Sequence, residues 1–158
     1  MKKVIELQLS SAEKQLLKEK KISIKSLMDY APDEVADIIQ ADAKRAQEIN
    51  ALIEFQNIPS LGIGFALELM DQGYYSLQQL KGRNAVELFD AYEKHVGAWA
   101  DPCVEDSYRL LVHYIEHKDE SKRWWDFTPE RKAYRKQHGF PANRPMKPWY
   151  ELSKYQKV

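Results

Sequence analysis

Three groups of residues in this 158-residue chain have types and spacing that suit chemistry. His113-Tyr114-Ile115-Glu116-His117 has the H-x-x-E-H spacing, which lays two imidazoles one helical turn apart beside a carboxylate. In a zinc hydrolase such histidines hold the metal and the glutamate serves as base, although spacing specifies no third ligand here. The competing reading places both histidines at the polar edge of a helix C-terminus, where partial positive charge is favoured. Cys103 follows Asp101-Pro102 and falls in the first turn of a helix, where the dipole favours a thiolate. Sequence fixes no histidine beside it, so a buried, inert thiol is the alternative. The third group is Ile58-Pro59-Ser60-Leu61-Gly62-Ile63-Gly64-Phe65-Ala66, which reads as a helix end, a tight turn and a new helix. The amides that open a helix have no partner within it and lie at its positive end, so the main chain of Ser60, Gly62, Gly64 and Phe65 offers a seat for an oxyanion. The two glycines permit a close approach. Lys44, Arg45, Lys81 and Arg83 are the cations available to flank a phosphate. No P-loop, G-x-S-x-G, dinucleotide fingerprint or C-x-x-C pair occurs, and the reading is non-catalytic.

The elements that must position these groups are helices. Ser10-Ser11-Ala12-Glu13 has capping-box spacing and starts a helix with Leu16 and Leu17 on its apolar face. Pro32-Asp33-Glu34 puts a ring and two negative charges in the first turn of a second helix. A longer one is predicted from about Asp42 to Phe55. Asp101-Pro102 opens a helix with the stripe Val104, Tyr108, Leu111, Val112 and Ile115, and Thr128-Pro129-Glu130 and Gly139 bracket a basic one. Sliding the sequence by 53 residues lays Leu16-Leu17 on Leu69-Met70, Ser23 on Ser76, Leu27 on Leu80 and Val35 on Leu88, which predicts two related helical units.

At 44% apolar and 30% charged, the chain builds a core and is neither fibrous nor wholly disordered. A single cysteine, no apolar run long enough for a leader and no membrane-spanning stretch lead us to expect a cytoplasmic protein with no membrane contact. The zero net charge hides a division: residues 1–120 carry 14 Lys+Arg against 21 Asp+Glu, and residues 121–158 carry 10 against 3. The tail interleaves its cations with Trp124, Trp125, Phe127, Tyr134, Phe140, Trp149, Tyr150 and Tyr155. It either meets phosphates and bases or wraps the acidic part of its own chain. The predicted domains are accordingly a helical body at 1–120 and a basic aromatic arm at 121–158.

The stretch from Ile58 to Leu80 resembles a helix-hairpin-helix motif, with Pro59, Leu61, Gly62, Ala66 and Gly73 in its hairpin and packing positions. From about residue 10 to 150 the chain resembles the small bacterial "pathogenicity locus" helix-hairpin-helix family, whose Asp-Pro-Cys run and Trp-Trp pair read here as Asp101-Pro102-Cys103 and Trp124-Trp125. The resemblance implies an all-α fold of tandem helix-hairpin-helix-type units with an irregular arm. It also implies contacts between hairpin amides and the DNA backbone without sequence preference, and a monovalent cation on the hairpin carbonyls. Ser60 stands where the motif has its first glycine, and no Lys or Arg occurs from Gln47 to Leu80. A protein-interaction or scaffold module with a hairpin used only for packing is therefore the second expectation.

Overall fold

A computed structural model describes residues 3–155 and is all-α, with seven α-helices and short 3-10 turns; among the described residues no strand forms. The chain divides into two compact units, residues 1–79 and 80–158. This break differs from the expected one at residue 120, and charge explains why. Counted over the observed units, the first holds 9 Lys+Arg against 12 Asp+Glu and the second 15 against 12. The basic tail belongs with the carboxylates it neutralises.

In the first unit, an extended segment leads into α1 (Ser11–Glu19), followed by α2 (Pro32–Ile38), α3 (Ala43–Gln56) and α4 (Ile63–Asp71). The starts follow from their caps. Ser10 Oγ accepts from the Glu13 amide at 3.1 Å while Glu13 accepts from the Ser10 amide at 2.9 Å, and Asp42 accepts from the Arg45 amide at 2.8 Å. Before α2, Ala31 has no side-chain acceptor, so only the Glu34 half of the arrangement forms, at 3.1 Å. α3 packs against both α2 and α4 and buries Ile49, Leu52 and Phe55. The buried amide of Gln56 exchanges hydrogen bonds with the main chain of Glu6, at 2.7 and 3.1 Å, and holds Ile5 and Leu7 inward.

In the second unit, α5 (Ala85–Val96) is capped by Asn84 and closed by Gly97, whose φ of 75° lies in the left-handed region that glycine adopts without strain. α6 (Pro102–His117) starts at Asp101 and α7 (Thr128–His138) ends at Gly139. α6 packs on α5 and on α7. The 53-residue repeat is visible in the element order. The start of α1 maps to that of α4, the 3-10 turn Lys25–Asp29 to the turn at Gln78–Leu80, and α2 to α5. Ser23 Oγ caps the Ser26 amide at 3.1 Å and Ser76 Oγ caps the Gln79 amide at 3.4 Å, and the pairs Leu27/Leu80, Val35/Leu88 and Ile39/Tyr92 are all buried.

What joins the tail to the second unit is a set of ion pairs. Glu93, Glu105 and Asp106 are each 1% exposed. Arg144 grips Glu93 through two bonds of 2.8 and 2.9 Å, Arg135 Nε reaches Glu105 at 2.9 Å, and Arg131 Nε reaches Asp106 at 2.7 Å. Thr128 Oγ1 donates to Asp106 at 2.7 Å and the Ala100 amide to Glu93 at 2.7 Å, so the carboxylate oxygens are well supplied with donors. Beyond Arg144 the chain returns to bond the Trp99 amide to the Lys147 carbonyl at 2.9 Å. The arm is thus packed, in agreement with the reading in which it wraps acidic residues of its own chain.

Removing one partner of a buried pair strands the other, so Asp106→Ala is expected to cost about 3 kcal/mol in urea denaturation. Glu130→Ala, which removes a 63% exposed partner 3.5 Å from Arg109, should stay within about 0.5 kcal/mol.

Candidate nucleic-acid interface

The hairpin between α3 and α4 is built by Asn57 through Gly62. The Ile58 amide bonds back to Phe55 and the Leu61 amide to Ile58, and the side chains of Ile58 and Leu61 are buried, which pins the turn from below. Ser60, in the position of the motif's first glycine, has a φ of 67°. The turn therefore keeps the left-handed residue that glycine serves best and makes a serine adopt it. Gly62 has an extended φ of −109° and Gly64 lies within the helix, so neither glycine is there for backbone freedom. Both are exposed, and a Cβ at either would meet no atom within 4 Å.

Gly62 is the N-cap of α4 and supplies no side-chain acceptor. The first intrahelical bond runs from Ala66 to the Gly62 carbonyl, and the amides of Gly62, Ile63 and Gly64 have no hydrogen-bond partner among the described residues. Phe65 is half-buried and, like Ser60, has a partner within the fold.

The flanking cations are distributed unevenly. Lys44 is exposed at the start of α3. Arg45 is not available to a phosphate: its guanidinium holds both oxygens of Glu13 at 2.8 and 2.9 Å and donates to the Leu7 carbonyl at 2.8 Å. That contact draws the Glu13 carboxyl below the usual carboxylate range, against the opposing effect of burial. Lys81 and Arg83 belong to the second unit, where Lys81 is exposed and Arg83 is half-buried with a partner of its own. Sequence reasoning missed the cation that does reach the hairpin. Lys3 Nζ donates to the carbonyls of Leu61 and, at 3.4 Å, Ile58, so a tethered ammonium sits on the oxygens expected to attract a monovalent cation. A residue 58 positions away carries no sequence signal for this contact.

The other two chemical candidates take different roles. His113 Nε2 is hydrogen-bonded to Asp119 Oδ2 at 2.9 Å, and its ring stands 4.7 Å from that of His117, whose Nε2 lies 3.6 Å from Glu116. Donors from Ser121, then His113, hold the Asp119 carboxyl well below its usual range. Among the described residues no group of three or more His, Cys, Asp and Glu side chains is gathered to hold a metal. The H-x-x-E-H run thus closes the C-terminal end of α6. Burial, then the hydrogen bond and charge of Asp101, push the Cys103 thiol up to about 12, which opposes the dipole and disfavours a thiolate.

The family model described as "Pathogenicity locus" (Cdd1) matches residues 48–133, and the chain belongs to that family. The match begins inside α3, takes in the hairpin, α4, α5 and α6, and ends in α7. The chain is also similar to a mitomycin resistance protein, McrB, of Streptomyces lavendulae, at 35% identity over 60 residues, which are 38% of this chain and 56% of that protein. The chain thus spans little more than half the length of this relative. No solved structure matches it. No helix among the described residues is long and apolar enough to cross a membrane.

Two outcomes follow from this geometry. Ser60→Val should cost about 1–2 kcal/mol in denaturation because a β-branched side chain resists positive φ, while Ser60→Gly is tolerated. With its thiol shifted to about 12, Cys103 should react with Ellman's reagent at pH 8 on the order of a hundredfold more slowly than a free thiol, and at full rate once unfolded.

Proposed function

We propose that this protein is a non-catalytic module that binds the nucleic-acid backbone, DNA in the first instance, without sequence preference. The observation that carries the reading is the exposed, unpartnered run of amides at Gly62, Ile63 and Gly64 that opens α4. Three donors at the positive end of a helix suit a single phosphate oxygen pair, and the bare glycines let a phosphodiester reach the main chain. Lys44 stands at the opposite end of α3 from the hairpin and adds only distant, screened attraction. Because Arg45 and the arginines at 131, 135 and 144 are spent on internal carboxylates, affinity rests on few contacts and is modest.

A second reading, a protein-interaction module, is favoured by a different observation. Trp125, Tyr150 and Met146 on the second unit are 53%, 55% and 92% exposed, although Trp125 meets Trp124 and Tyr150 meets Trp99 and Trp149 edge-on. Binding to duplex and single strands as a function of salt separates the two. On the nucleic-acid reading, log affinity falls with log salt with a slope of about −1 to −2, since each phosphate neutralised on duplex contributes about −0.9. Gly62→Asp abolishes binding by placing a carboxylate on the amides, and the same carboxylate caps α4, so stability is retained or rises by a few tenths of a kcal/mol. Absence of binding at low salt leaves the interaction reading.

A further inference from the structure

Within the second unit, and independent of the hairpin, lies a cavity of about 570 Å³ framed by the end of α5, the start of α6, α7 and the Phe140–Arg144 loop. We infer that this cavity binds a phosphorylated nucleoside, its ring packed against the exposed part of Phe140 and its phosphate held by Lys132 and Lys136.

The size is right for such a molecule, since sites for small ligands run from about 300 to 1,000 Å³. Its walls are Trp99 and Phe140, with buried Phe89 beneath. Phe140 is 42% exposed although the Arg144 and Arg135 guanidinium carbons stand 3.6 and 4.2 Å from its ring centroid. Arg144 also lies 6.0 Å from the Trp99 ring centroid. The guanidiniums hold the Phe140 ring in place and leave part of it open, and a planar π system can pack on that open part.

The charges divide into two classes. Arg131, Arg135 and Arg144 are matched by Asp106, Glu105 and Asp90, and Glu93, which neutralises them and fixes their planes before any ligand arrives. Lys132 and Lys136, one turn apart on α7 and both on the cavity lining, are exposed and have no partner among the described residues. Two uncommitted ammonium groups beside a neutralised aromatic slot match the two charges of a phosphomonoester attached to a flat ring. Neither inorganic phosphate nor a bare nucleoside uses both halves.

The test is a titration of the full chain followed by the Trp99 indole resonance, assigned with Trp99→Phe, using dAMP, deoxyadenosine, inorganic phosphate and a short oligodeoxynucleotide with and without a 5′-phosphate. We expect saturable binding of dAMP, tighter than either fragment. Binding as tight by the 5′-phosphorylated strand, lost with the phosphate removed, identifies a strand end as the source; binding confined to dAMP identifies the free nucleotide. Lys132→Gln with Lys136→Gln, exposed changes that leave the fold intact, should weaken dAMP by about tenfold, equivalent to the loss of one good phosphate contact. Phe140→Leu should erase the preference for dAMP over phosphate. A failure of dAMP to saturate, a phosphate affinity equal to that of dAMP, or a double lysine variant that binds normally overturns the proposal. Gly62→Asp should leave the dAMP, deoxyadenosine and inorganic phosphate values unchanged, so this result and that for the hairpin are read separately.

Discussion

The second unit depends on three carboxylates that have almost no contact with water. Glu93, Glu105 and Asp106 sit on α5 and α6 at 1% exposure, a placement that is costly unless each charge meets an opposite one with good hydrogen-bond geometry. Arginines supply that geometry, because a planar guanidinium gives two parallel donors or one donor and a stacking face. The consequence runs outward in order: α7 is placed by Arg131 and Arg135, the loop after it by Arg144, and the path of the terminal segment by the Trp99 to Lys147 bond. What reads as an arm in one dimension is a layer in three.

The first unit uses a comparable device in a different place. Arg45 ties α3 to Glu13 of α1 and to the carbonyls of Leu7 and Gln8, while Gln56 does the same for Glu6 and Lys3 reaches the hairpin. Side chains spent in this way are lost to ligands. A basic residue counts toward a phosphate site only if it stands near it and nothing inside the molecule has claimed it: Arg45 fails on the second ground, and Lys44, at the far end of α3 from the turn, on the first.

Much of the helical frame was legible in the sequence because its determinants are local. Ser10, Asp42, Asp101 and the prolines at 32, 102 and 129 act within a turn of where they stand, and helices begin beside each. The repeat was legible because apolar spacing survives when identity does not. The boundary was not legible, since a running charge balance cannot reveal that Arg131 faces Asp106 or that Arg144 faces Glu93. Within the hairpin, the positive φ falls on Ser60, which only the backbone angles reveal. The failure at Arg45 has the same root as the missed Lys3: both contacts span tens of residues, and neither residue type announces its partner.

The docking of the N-terminal segment sets an order of events. Residues 3–8 find their acceptors and donors at Arg45, Gln56, Ile58 and Leu61, all of them far along the chain. During synthesis the buried side chains of Ile5 and Leu7 wait for partners made some fifty residues later, so this segment settles after elements that follow it in the chain.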